Sequence, residues 1–137
     1  MFDRFSAYAP HGLAILRIVT GLLFVHAGLA VLFNFPPPPP GSPPEMQTLM
    51  TVAGWIELLG GLFILVGWLT RPVAFVLCGF MAVAYWGFHF PMSPFPNNNF
   101  GVSAILYCFI FLYLFLAGPG PWSVDTMRTS VTSASAA

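Results

Sequence analysis

Four ionisable side chains fall within long apolar runs: Arg17, His26, Glu57 and His89. Charge is costly in hydrocarbon, so each is a candidate for function. Glu57 could handle a proton or a polar ligand. Arg17 is its natural ion partner, although at 1.5 Å per residue their depths differ by about 10 Å. A buried Arg17–Glu57 pair that fixes helix register is the structural reading of the same residues. An Arg17 that snorkels to the aqueous surface is a third. His26 and His89, on different helices, could ligate a haem iron, or one could hydrogen-bond a quinone carbonyl. No second ligand pair and no His-Glu-x-x-His spacing accompanies them. Haem and a metal centre are therefore disfavoured, and a quinone is the cofactor these residues leave open. Each histidine also has a plain reading as an interfacial side chain. Cys78 and Cys108 fall at similar depth and could form a redox dithiol. Apolar surroundings disfavour thiolates and there is no Cys-x-x-Cys, which favours a packing role.

These groups need a bilayer around them. The 137-residue chain is 58% hydrophobic, 17% aromatic and 6% charged, with four Arg, no Lys and four Asp/Glu. Eight charges cannot clothe a soluble domain of this size. They also rule out a basic nucleic-acid-binding face. The aromatic content excludes a disordered chain, and two cysteines are too few for a disulfide scaffold. The class is all-α: a transmembrane four-helix bundle forming one domain over residues 1–128. Helices are expected at about 12–33, 49–69, 72–90 and 101–117, since about 20 apolar residues cross the hydrocarbon. Continuous apolar runs exclude a β-barrel. The first run is too long for the apolar region of a cleaved signal peptide.

The breaks agree with this division. A Pro-rich outer loop occupies residues 34–48, with five consecutive prolines from Pro36 to Pro40. Thr70-Arg71-Pro72 forms the second turn, with Pro72 suited to a first helical turn. Residues 129–137 form a small polar tail expected to fray. If four helices alternate, Arg4, Arg71 and Arg128 share one side, which the positive-inside rule makes cytoplasmic along with both termini. His26, Glu57 and His89 then lie in the outer half.

Helical phase groups the residues by face. Arg17, Gly21, Phe24 and Gly28 share one face of the first helix, and His26 lies opposite. Gly54, Glu57 and Gly61 share a face of the second, next to Gly60. Gly79, Ala82, Trp86 and His89 share a face of the third. Small residues let helix backbones approach closely, so these three faces are expected to point inward.

The chain resembles the DoxX family of small bacterial membrane proteins over roughly residues 16–126. Leu16-Arg17 with Gly21 and Gly28 carries the resemblance, as does the segment from Gly54-Trp-Ile-Glu57 through Gly60-Gly61 to Gly67-Trp-Leu-Thr-Arg71-Pro72. Met81, His89 and the ending Gly118-Pro-Gly-Pro-Trp-Ser123-Val-Asp125 complete it. Two family charges are missing: the lysine soon after Gly28 and the glutamate at the start of the fourth helix, where this chain reads Gly101-Val-Ser-Ala. The resemblance implies a multi-pass protein of the bacterial inner membrane and an accessory role in a quinone- or thiol-linked redox system. It marks Arg17, Glu57, Arg71 and His89 and fixes no catalytic residue. The alternative is a structural or assembly protein whose glycine faces pack in a homo-oligomer or against partner membrane or redox proteins. A small carrier or channel is a third reading, for which four helices leave little room.

Overall fold

The computed structural model describes residues 3–35 and 47–135. The Pro-rich loop lies outside the described residues from 36 to 46. A 3-10 turn (Asp3–Tyr8) leads into α1 (Ala9–Phe33). Then come α2 (Gln47–Val66), α3 (Thr70–Ala84), a π turn (Tyr85–His89), α4 (Val102–Ala117) and α5 (Val124–Ser135). No strand occurs among the described residues. Three helical stretches, Arg4–Phe33, Leu49–Val66 and Thr70–His89, are long and apolar enough to cross a membrane, and Val102–Ala117 is a shorter apolar helix.

Local chemistry sets the ends. Pro10 sits in the first turn of α1, where its missing N–H costs nothing. Asn34 stops α1 in the left-handed conformation, which Asn tolerates. α2 ends at Val66 rather than Leu69, because Gly67 (φ 68°) and Leu69 (φ 49°) turn the chain. α3 consequently starts at Thr70, and Pro72 still falls within its first turn, among N–H positions with no intrahelical acceptor. α5 continues to Ser135, through most of the stretch expected to fray from Thr129.

α1 packs along α2 at backbone distance. A Cβ on Gly21 would lie 2.6 Å from the Leu65 nitrogen, and one on Gly28 would lie 2.6 Å from the Leu58 nitrogen. One on Gly61 would lie 2.7 Å from the Val25 nitrogen. Only glycine lets two main chains meet this closely. Gly54 accommodates the Val31 and Leu32 side chains, and Gly60 accommodates Leu77 of α3. α3 in turn packs along α4. The core joins the two pairs through Phe24, Ile64, Ala74, Leu77, Met81, Phe111 and Leu114. Phe24 meets Phe111 edge-on at a centroid distance of 4.7 Å. The outward faces carry exposed Phe75, Val76, Val83, Trp86, Phe109 and Leu116, a surface suited to acyl chains rather than water.

The inward face of α3 differs from expectation. Its buried residues are Thr70, Ala74, Leu77 and Met81. Gly79 instead faces outward, with nothing within 4 Å of an added Cβ, and Trp86 is 62% exposed. Two causes are visible. Leu77 brings bulk to the small Gly60, so smallness is supplied by α2 and not by α3. The π turn also breaks the 100° phase, so His89 does not continue the face of Ala82.

Two alanine substitutions separate the environments. Gly61→Ala should destabilise the protein by about 1–3 kcal/mol, because its Cβ meets backbone that cannot move aside. Gly79→Ala should leave stability unchanged or raise it by up to about 1 kcal/mol through helix propensity. Thermal unfolding in detergent measures both, and equal Tm values would refute the packed seam.

Candidate functional site

Among the described residues, Arg17 stands out for the number of hydrogen bonds its side chain makes. It enters from α1, is fully buried, and directs its guanidinium at five carbonyl oxygens. Nη1 donates to Ile64 (3.0 Å) and Leu65 (2.6 Å) in the last turn of α2. Nε donates to Pro119 (2.9 Å), and Nη2 donates to Trp122 (2.8 Å) and Pro121 (3.5 Å) in the loop after α4. A guanidinium has five N–H donors, so every one finds an acceptor. The charge also sits at the negative end of the α2 dipole.

The expected Arg17–Glu57 pair is therefore absent. The reason is proximity: carbonyls left open at the end of α2 surround the guanidinium, whereas Glu57 lies about 10 Å further along that helix. Nor does Arg17 snorkel to the surface. Gly67 makes the arrangement feasible, since a Cβ there would collide with the Ser123 Cβ and reach within 2.7 Å of Arg17 Nη1.

Two further charges complete this end. Arg71 Nη1 donates to the carbonyls of Phe115 (2.7 Å) and Leu116 (2.8 Å), capping the C-terminus of α4. The Asp125 carboxylate accepts from the Leu69 and Thr70 N–H groups, both at 2.9 Å, capping the N-terminus of α3. Its own N–H donates to the Gly67 carbonyl at 3.0 Å. The Ser123 hydroxyl donates to the Gly120 carbonyl. Each charge thus sits at the helix end whose dipole favours it. Burial pushes the Asp125 carboxyl up, but the Thr70 and Leu69 N–H groups and the neighbouring Arg128 charge outweigh it and hold the group below its ordinary value.

The other sequence candidates do not converge. His26 is exposed on the outside of α1. His89 is half-buried and its Nδ1 lies 2.8 Å from the Asn99 carbonyl. Asn99 is fully buried, donates to the Ser93 carbonyl and accepts from the Gly101 N–H, so His89 belongs to a latch on the loop between the π turn and α4. Glu57 is half-buried on α2, within electrostatic reach of Tyr107 on α4. Among the described residues neither a cation nor a hydrogen-bond donor sits at its carboxylate. Cys78 and Cys108 meet across the α3–α4 seam, with sulfurs 3.7 Å apart.

Removing the guanidinium should be severe. Arg17→Met leaves five carbonyls facing an apolar side chain and should cost at least about 3 kcal/mol, read as a fall in Tm. Arg17→Lys should recover only part of that, because an ammonium offers three donors and no planar fork. Acid should loosen the same end. A carboxyl with a depressed pKa contributes fully above its unfolded value, about 3.9, and loses that contribution as pH falls through the folded value. Exposure keeps the effect to roughly 1 kcal/mol or less. A pH–stability profile should therefore drop on the acid side, and Asp125→Asn should flatten that limb.

A family model described as DoxX matches residues 12–90, the range that holds Arg17, Glu57, Gly67 and Arg71. The chain is 36% identical over 127 residues to an uncharacterized protein of Haemophilus influenzae, covering 90% of this chain and 95% of that one. It is 29% identical over 123 residues to the inner membrane protein YqjF of Escherichia coli K12, covering 85% and 91% respectively. No solved structure matches it. With three spanning-length apolar helices and this match, the chain is a multi-pass membrane protein that belongs to the DoxX family.

Proposed function

We propose that this protein is an inner-membrane accessory subunit of a quinone-linked redox system, with Glu57 as the polar contact for the quinone. The observation that carries the reading is the contrast between two intramembrane charges. Arg17 is balanced by five hydrogen bonds and has a complete structural role. Glu57 has no such partner among the described residues, and an intramembrane carboxyl without a structural role is a functional group by default. Tyr107 supplies a neighbouring phenol from α4.

In this reading α1 to α4 cross the bilayer as one bundle with both termini in the cytoplasm. Gly120 lies against Pro10 and Ala14, so the loop into α5 meets the start of α1 at the Arg71 end, as the positive-inside rule asks. The Escherichia coli relative is an inner membrane protein, which supports the location. A second reading, packing into an oligomer or larger complex, draws support from Gly79 and Gly87, where an added Cβ would meet nothing within 4 Å. A close-packed helix from another chain would fit there.

Protein purified from native membranes should carry quinone, measured by solvent extraction and mass spectrometry. Glu57→Leu, similar in volume but without a donor, should lower the quinone content about fivefold, the loss of one neutral hydrogen bond of about 1 kcal/mol from the protonated carboxyl to a quinone carbonyl. Quinone no more abundant than in an unrelated membrane protein, or equal in the variant, refutes the proposal. Native mass spectrometry of the same preparation reads the oligomer.

A further inference from the structure

Cys78 and Cys108 belong to neither the Arg17 end nor the His89 latch. Cys78 lies about 12 Å along α3 from Thr70, and Cys108 about 14 Å before the end of α4, so both sit deep in the apolar span. The chain has two cysteines, and they face each other. Their sulfurs are 3.7 Å apart and both side chains are half-buried. A disulfide needs about 2.05 Å, so closure asks for an approach of roughly 1.7 Å. Two side-chain rotations and a slight shift of the antiparallel helices can share that movement.

We propose that Cys78 and Cys108 form a redox-active dithiol, closed to an α3–α4 disulfide by a membrane-soluble quinone. The step balances without ions. Two S–H bonds break and one S–S bond forms; two electrons and two protons pass to the quinone oxygens, giving a quinol. Neutral reactants become neutral products. That matters here, because hydrocarbon penalises a charged product. The location selects the oxidant as well. The half-buried cysteines lie deep in the apolar span, Cys78 one helical turn from exposed Phe75 and Cys108 next to exposed Phe109, where a soluble disulfide does not reach. Ordinary small packing residues would fill the same space without bringing two sulfurs together. The proposal rests on the quinone-linked reading for its oxidant only.

The test is a thiol count in native membranes containing the full chain. Membranes are treated with a short-chain benzoquinone whose ring is fully substituted, which prevents addition of thiols to the ring. They are then denatured in acid and labelled with a polyethylene glycol maleimide that shifts the band once per free thiol. Untreated protein should label twice, quinone-treated protein not at all, and reduction should restore both labels. Cys78→Ala and Cys108→Ala, which keep a small side chain, should each retain one label after quinone, because neither can close the bridge. Two labels after quinone overturn the proposal, whether or not diamide closes the pair. Loss of the single label in either variant overturns it too. Bound quinone without a disulfide leaves the Glu57 reading standing and removes this one. Closure without bound quinone does the reverse.

Discussion

A guanidinium buried among main-chain carbonyls organises this protein. Arg17 arises in α1, but its acceptors belong to the end of α2 and to the loop after α4. One planar group therefore joins three separate parts of the chain. Hydrocarbon makes the join strong, because neither the cation nor the carbonyls have water as an alternative partner. Gly67 is a direct consequence, since any side chain there would displace either Ser123 or the guanidinium. Arg71 and Asp125 repeat the principle at neighbouring helix ends. One end of the molecule is thus held by directional bonds among fixed backbone atoms.

The remainder is held differently. α1 and α2 meet through glycine at main-chain distance, and α3 and α4 pack side by side along their length. Between these pairs the contact is side chain on side chain, through Phe24, Leu77 and Phe111. Glu57 lies close to that division and the two cysteines lie within the second pair. The groups that could do chemistry therefore sit away from the directional bonds, where side chains can move without unpicking the Arg17 cluster.

The all-helical class and the long apolar runs were legible because a bilayer tolerates little else. Helical phase located the buried side of α1, with Arg17, Gly21, Phe24 and Gly28 along it. It misplaced the buried side of α3, where Leu77 packs against Gly60 of α2, and the π turn that follows α3 shifts the phase of Trp86 and His89. The partners of Arg17 could not be read from side-chain types, because they are carbonyls and every residue has one. Opposite charge alone points to Glu57, which is the wrong partner for a group surrounded by open helix ends. Asp125 was hidden for another reason. It caps a helix that starts 55 residues earlier, and capping patterns in sequence are local. The Gly-Pro-Gly-Pro-Trp-Ser-Val-Asp ending was visible only through its resemblance to a family pattern.

That distance along the chain bears on biogenesis. Translation delivers residues in order, so α1 and α2 enter the bilayer while Pro119, Pro121 and Trp122 are still unmade. At that stage Arg17 has only the Ile64 and Leu65 oxygens, and the start of α3 has no carboxylate. Premature termination before Pro119 would leave a nascent product with a partly unsatisfied cation inside lipid. Such a fragment carries a chemical mark of incompleteness that membrane quality control could read.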